Sequence, residues 1–93
     1  MLSKIPIRIG DIEANDIDKE ILRAGIIAEY DAINLYEQMA ALTKNMDIKK
    51  VILDVAKEEK EHVGEFQTLL LELDKQQFEE MEEGKKEVEE LIE

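Results

Sequence analysis

The chain's single histidine, His62, follows Glu59 at the spacing E-x-x-H. On a helix, residues three apart project from one face, so this carboxylate and imidazole can meet a common ligand. Carboxylates joined by an imidazole suit a divalent transition metal such as iron, manganese or zinc. The spacing alone carries little. With 17 glutamates in 93 residues, a histidine has roughly a one-in-five chance of a glutamate three positions before it. A third residue supplies the context. Glu29 interrupts one apolar helical stripe as Glu59 and His62 interrupt another, and charge placed in such a stripe must be compensated.

The elements that position these residues are helices. One stripe reads Leu22, Ile26, Glu29, Ile33, Tyr36, Ala40 and Thr43, and a second reads Ile48, Ile52, Val55, Glu59, His62, Phe66, Leu69 and Leu73. Steps of four and three alternate in both, the signature of a buried helix seam. A first helix is expected over about 15–44, starting near Asn15 or Asp16 and stopping at a left-handed Asn45. A second is expected over about 47–73. A third runs over about 74–92, opened by a capping-box-like pair of Asp74 and Gln77 and weakened or ended by Gly84. Residues 1–14, with Ile5, Ile7 and Ile9 around Pro6, read as an extended arm. The whole chain reads as one domain.

The short connection after the first helix dictates an antiparallel hairpin. Residues equidistant from the turn then lie side by side: Thr43 with Ile48, Ala40 with Ile52, Tyr36 with Val55, Ile33 with Glu59. Continued one step, the register sets Glu29 level with His62. The three exceptions to the apolar pattern therefore converge, with no Lys or Arg on either seam at that level. A bound cation is the economical neutraliser. Three donors leave a metal under-coordinated and one hairpin leaves its seam uncovered, so both point to self-association. A twofold axis at the site gathers four carboxylates and two imidazoles, the donor set of di-iron four-helix bundles.

Composition narrows the remaining classes. The formal net charge is −12, from 24 acids and 12 bases, which argues against nucleic acid as a partner. No apolar run is long enough to span a membrane. There is no cysteine, so no disulfide, thiolate nucleophile or Cys-ligated metal is available. Residues 72–93 carry ten acids and three bases, read as a solvated face or, alternatively, as an electrostatic lure that concentrates cations. Ile27, Leu35, Leu53, Ala56, Val63 and Leu70 form a second apolar stripe, in part for the third helix and in part for a further interface.

Around these motifs, residues 26–37 (IIAEYDAINLYE) and 55–66 (VAKEEKEHVGEF) resemble the encapsulated ferritins of the ferritin and rubrerythrin superfamily. The resemblance covers roughly residues 18–75. It implies an all-α fold in which the hairpin and short C-terminal helix dimerise into a ferritin-like four-helix di-iron unit. It further implies a ring-like homo-oligomer, a decamer, held inside an encapsulin shell in the cytoplasm. By the same resemblance Glu29, Glu59 and His62 are iron ligands and Asp31 is a site that receives incoming iron. Tyr36 matches the tyrosine beside the centre; as structure it is a seam aromatic, as function its hydroxyl bonds a ligand carboxylate. Leu35 stands where the family often has an aromatic residue. Family members often end in an apolar shell-targeting peptide, which does not follow here before Glu93, and some archaeal relatives carry this domain fused to the shell protein, so the resemblance leaves open a chain trimmed from such a peptide or fused to the shell.

The function expected is a ferroxidase, oxidising Fe(II) to Fe(III) with O₂ at two irons per subunit pair, for iron storage and detoxification. Two alternatives remain open. One is a rubrerythrin-like peroxide reductase fed by an external electron donor, since this chain has no cysteine for a rubredoxin iron. The other is a non-catalytic assembly module bridged by zinc or calcium.

Overall fold

The computed structural model describes residues 16–93, and among them every regular element is an α-helix: α1 (Ile17–Leu42), α2 (Met46–Leu73) and α3 (Lys75–Ile92). The expected arm at 1–14 lies outside the described residues. α1 and α2 form the antiparallel hairpin. Asp18 and Glu20 stand in the first turn of α1, at the positive end of its dipole. Asp16 precedes the helix without a side-chain capping bond.

The turn differs from expectation in an instructive way. Asn45 is extended, at φ −86° and ψ 115°, and no described residue has a positive φ. Asn45 is therefore not a left-handed stop for α1. It caps α2 instead: its Oδ1 accepts from the backbone N–H groups of Asp47 (3.0 Å) and Ile48 (3.1 Å). α1 ends two residues earlier, where the Thr43 N–H donates to the Met39 carbonyl at 3.1 Å. A short polar side chain between two helices can serve either one, and capping the following helix satisfies two otherwise orphaned donors.

Asp74 makes the second corner alone. Its Oδ1 accepts from the Gln77 N–H at 3.0 Å, which caps α3, and its Oδ2 accepts from Arg23 Nη2 at 2.9 Å. Arg23 Nη1 also reaches Glu20 at 3.3 Å. One carboxylate thus ties the start of α3 to the first turns of α1. The capping bond and the Arg23 guanidinium hold the Asp74 carboxyl below the usual carboxylate range, against a smaller opposing effect of burial. Gly84 does not end α3, which continues to Ile92. A glycine inside a helix costs about 1 kcal/mol; the side-chain pair Lys75–Glu79 supports the helix before it and Lys86–Glu83 spans it.

The core is a single line. Ile33 and Ala40 of α1 are buried against Ala56, Val63 and Leu70 of α2. The buried line of α2 belongs to the stripe expected to serve α3 or a further interface. The stripe expected to be the hairpin seam, from Ile48 to Leu73, runs along one flank and is half-buried to exposed. The reason is geometric. Here the two helices bury only one residue per two turns of each, and covering a wider apolar face needs another layer. The extents of 46 × 44 × 19 Å fit an α3 that stands out from the hairpin, and α3 has no buried residue.

Two outcomes follow from this packing. Ala40 and Ala56 are the most deeply buried side chains and set the helix separation near the turn. Ala56→Leu is expected to destabilise the fold by about 1–3 kcal/mol through overpacking, read as a lower midpoint in chemical denaturation. Because the folded Asp74 carboxyl titrates below its unfolded value, its contribution is present above the unfolded pKa and lost as pH falls through the folded one. The thermal midpoint of wild type is therefore expected to fall on acidification in that window. Asp74→Ala is expected to start lower at neutral pH and to show a shallower acid decline, followed by circular dichroism.

Candidate metal centre

The flank left bare by the narrow core is where the three residues meet. His62 Nδ1 stands 3.5 Å from Glu29 Oε2 and 3.6 Å from Glu59 Oε2. One donor atom from each residue falls within a group spanning 4.8 Å at most, the one such group of three His, Cys, Asp or Glu side chains among the described residues. The hairpin register makes this possible: Glu29 and His62 stand level across the helix pair, and Glu59 lies one turn along α2 on the same side. The side chains of Glu29 and Glu59 are 17% and 20% exposed, and that of His62 is 43% exposed.

The electrostatics of the site are unbalanced. Glu29 Oε2 is buried and has no hydrogen-bond partner; its 3.5 Å approach to His62 is too long to be one. No Lys or Arg ion pair reaches Glu29 or Glu59 among the described residues. Lys60 is held by Glu37 at 2.8 Å, and Arg23 is held by Glu20 and Asp74. A buried acceptor left without a donor is costly, and a metal ion is the partner its surroundings suit. Donors bound at about 2.1 Å and disposed tetrahedrally lie about 3.4 Å apart, close to the spacings seen between the imidazole nitrogen and each carboxylate. Oxygen and imidazole donors together fit a divalent transition ion.

The other expected residues are placed less directly. Tyr36 is half-buried on the same face of α1, two turns from Glu29, and its hydroxyl makes no hydrogen bond among the described residues. Asp31 does not join the group. Two residues beyond Glu29 it lies about 200° round the helix, with its own Oδ2 buried and unpaired. Glu58, Glu61 and Glu65 are exposed.

Gly25, not singled out in the sequence, shapes the site's neighbourhood. A Cβ there would lie 3.2 Å from two ring carbons of Phe66, so the absent side chain lets that ring lie against α1. Gly25 is one turn before Glu29 and Phe66 one turn after His62, so this contact is the next rung of the same register. The available signal was an isolated glycine inside a helical pattern, which marks close packing.

Comparison with known proteins bears on the family and the fold. A family model described as rubrerythrin matches residues 20–93. The chain is 60% identical over 72 residues to a ferritin-like–encapsulin shell fusion protein of Pyrococcus furiosus, covering 77% of this chain and 21% of that protein. It is 43% identical over 56 residues to the encapsulin nanocompartment cargo protein EncC of Myxococcus xanthus, covering 60% of this chain and 43% of that one. The chain thus spans about a fifth and under half of these two curated relatives. The crystal structure of an encapsulated ferritin domain from Pyrococcus furiosus superposes with a TM-score of 0.83 at 48% identity, over 98% of this chain and 93% of that one.

The unpaired carboxylate makes opposite demands with and without metal. Glu29→Gln is expected to raise the thermal midpoint of the metal-free protein by relieving the orphaned charge. The same substitution is expected to shrink the rise in midpoint that added Co(II) or Zn(II) gives the wild type, a rise set by binding to the folded state alone. Scanning fluorimetry with and without metal measures both; a substitution that lowers both midpoints equally would count against the site.

Proposed function

The chain belongs to the rubrerythrin family of ferritin-like proteins, with an encapsulated-ferritin type of domain, and on that premise we propose that it oxidises Fe(II) to Fe(III) with O₂ at a dinuclear centre shared by two copies. The observation that carries the reading is the buried, partnerless Oε2 of Glu29 facing His62 beside Glu59 on an open hairpin face. One chain offers three donors and a bare flank. Two chains related by a twofold axis at that flank offer four carboxylates and two imidazoles around two ions. The charge of the four carboxylates then balances two divalent cations. The apolar residues Leu22, Phe66, Leu69 and Leu73, half-buried or exposed on the same side, become the core of the joined bundle.

Iron is substrate in this reading, and two bound Fe(II) ions supply one electron each to O₂. The protein's share is placement. Glu59 and His62, three apart on one rigid helix, fix a carboxylate and an imidazole in one orientation. Glu29 contributes the facing carboxylate from α1 and bridges or chelates. Tyr36 lies on the same face, where its free hydroxyl can bond a ligand carboxylate and orient it. Asp31, on another side of α1, is assigned to receiving incoming iron. Carboxylate-rich donors stabilise the ferric product, which favours loss of an electron at the site.

The curated relatives are, by name, a shell fusion and a nanocompartment cargo protein. We extend that setting to this chain: it acts inside an encapsulin compartment as a ring-like homo-oligomer of such dimers. The oxidised iron is then deposited within the shell. Anaerobic loading with Fe(II) followed by O₂ tests the chemistry. The wild type is expected to bind close to one iron per chain and oxidise it rapidly. Glu59→Ala and His62→Ala are expected to oxidise iron at the rate of the protein-free solution. Equal rates in all three proteins, or two irons bound by a monomer in native mass spectrometry, would remove the shared-centre reading.

A further inference from the structure

The buried Glu29 Oε2 lies on the open flank of the hairpin and accepts no hydrogen bond. An oxygen so placed would hold water unless a neighbouring side chain covers it. Helix geometry narrows the choice of neighbour. Side chains on a helix lean toward its N-terminus. Glu29 therefore leans toward the rung of Gly25 and away from Ile33. α2 runs the other way, and its Phe66 leans toward the rung of His62. The two side chains converge in the space between those rungs.

Gly25 is what admits the ring to that space. A Cβ at Gly25 would stand 3.2 Å from both Cδ2 and Cε2 of Phe66 and 3.6 Å from Cζ, so one whole edge of the ring lies along the α1 backbone. At the other described glycines, Gly64 and Gly84, an added Cβ would meet nothing within 4 Å. The close approach is thus particular to the turn beside the metal ligands. Phe66 is half-buried, and beyond it the seam continues with Leu22 and Leu69. The ring is therefore the boundary between the polar break in the seam and its apolar end.

We propose that Phe66, seated on Gly25, is a positioning residue for the metal centre: its ring denies water to the Glu29 carboxylate and turns that carboxylate toward His62 and Glu59. The inference rests on the reading of these three residues as metal ligands, and it supplies a reason for the orphaned oxygen. A carboxylate stripped of water when the chain folds needs no further desolvation when a cation arrives, and its direction is fixed in advance. Glu59 and His62 are set relative to each other by one helix. Glu29 comes from the other helix, and the Phe66 ring, reaching from α2 to the α1 backbone, sets it relative to them. A larger residue at position 25 displaces the ring, and a smaller one at position 66 lets water in. Either change weakens the hold on a cation without altering a ligand.

A double-mutant cycle in the metal-free full chain tests the pairing of Phe66 with Glu29. Thermal midpoints are measured with a chelator, at one protein concentration, for wild type, Glu29→Gln, Phe66→Ala and the double variant. The rise given by Glu29→Gln is expected to shrink by about half or more in the Phe66→Ala background, where water already relieves the charge. It is expected to persist with Phe66→Leu, which keeps an apolar cover. A ring that only packs would give the same rise in both backgrounds, and that result would overturn the proposal. Titration with Co(II), followed by its visible absorption, is the second readout. Phe66→Ala and Gly25→Ala are each expected to weaken binding about tenfold. Gly25→Ala combined with Phe66→Leu is expected to recover most of the loss, the more flexible side chain yielding to the new methyl group. Alanine is a better helix former than glycine, so Gly25→Ala is expected to lose metal affinity while keeping its thermal midpoint. Native mass spectrometry follows self-association in every variant, and an affinity that falls only in step with loss of the dimer would overturn the proposal. Variants that bind Co(II) as tightly as wild type would overturn the positioning role and leave the metal centre standing. A wild type that binds no Co(II) would remove the centre itself, and this inference with it.

Discussion

Everything in this molecule depends on how little two helices can bury against each other. Ile33 and Ala40 meet Ala56, Val63 and Leu70 along one line, and no second layer lies over it. A hairpin of this length carries apolar and charged groups around much of its circumference, and only that narrow strip is hidden. What remains is a structure with two open faces and a projecting third helix. Its stability comes from a thin core, local helix caps at Asn45 and Asp74, and the Arg23–Asp74 pair at the corner. For a chain of this size such a core is marginal. The apolar residues left on the flank, Ile48, Leu69 and Leu73 among them, are where further stabilisation has to come from.

The placement of Glu29 follows from the same limit. In a fully buried core its unpaired oxygen would be close to intolerable; in open solvent it would signify nothing. On the edge of a narrow core it is shielded enough to be costly and accessible enough to be reached. The imidazole of His62, more exposed than either carboxylate, sits at the mouth of this arrangement. Phe66, lying on Gly25, closes the next turn with an aromatic ring. The flank therefore alternates apolar contact with one polar break.

The hairpin was legible in the sequence because helical period and turn length are local properties. The pairing of Glu29 with His62 was legible as well, since register in a two-helix hairpin is settled once the turn is known. Which stripe would be buried was not. Sequence periodicity reports every apolar face, including those that a second molecule covers, and cannot say which face one chain will bury. The line of Ala56, Val63 and Leu70 was thus placed in the minor stripe. Asn45 failed for a related reason: the same side chain suits the end of one helix and the start of the next. Gly84, expected to weaken or end the helix, does not end it, because glycine's cost in a helix is small beside the bonds that continue it. Gly25 required the partner ring to be in place before its meaning was visible.

The donor count separates the possible uses of such a site. A metal that only holds an interface together favours a closed shell of four strong protein donors, with no open position. Here one chain presents three donors, two carboxylates and a half-exposed imidazole, on a face that is itself uncovered. In the proposed reading a second copy would complete the shell and cover the face in a single step, so assembly and chemistry would draw on the same surface. Carboxylate-rich, open coordination is poor as a permanent staple and well suited to a metal that arrives, reacts and leaves. The strongly acidic α3 adds a field of the same sign at a distance, and at physiological salt its reach is limited to about 8 Å. Any influence of its charge on a cation is therefore confined to its immediate surroundings.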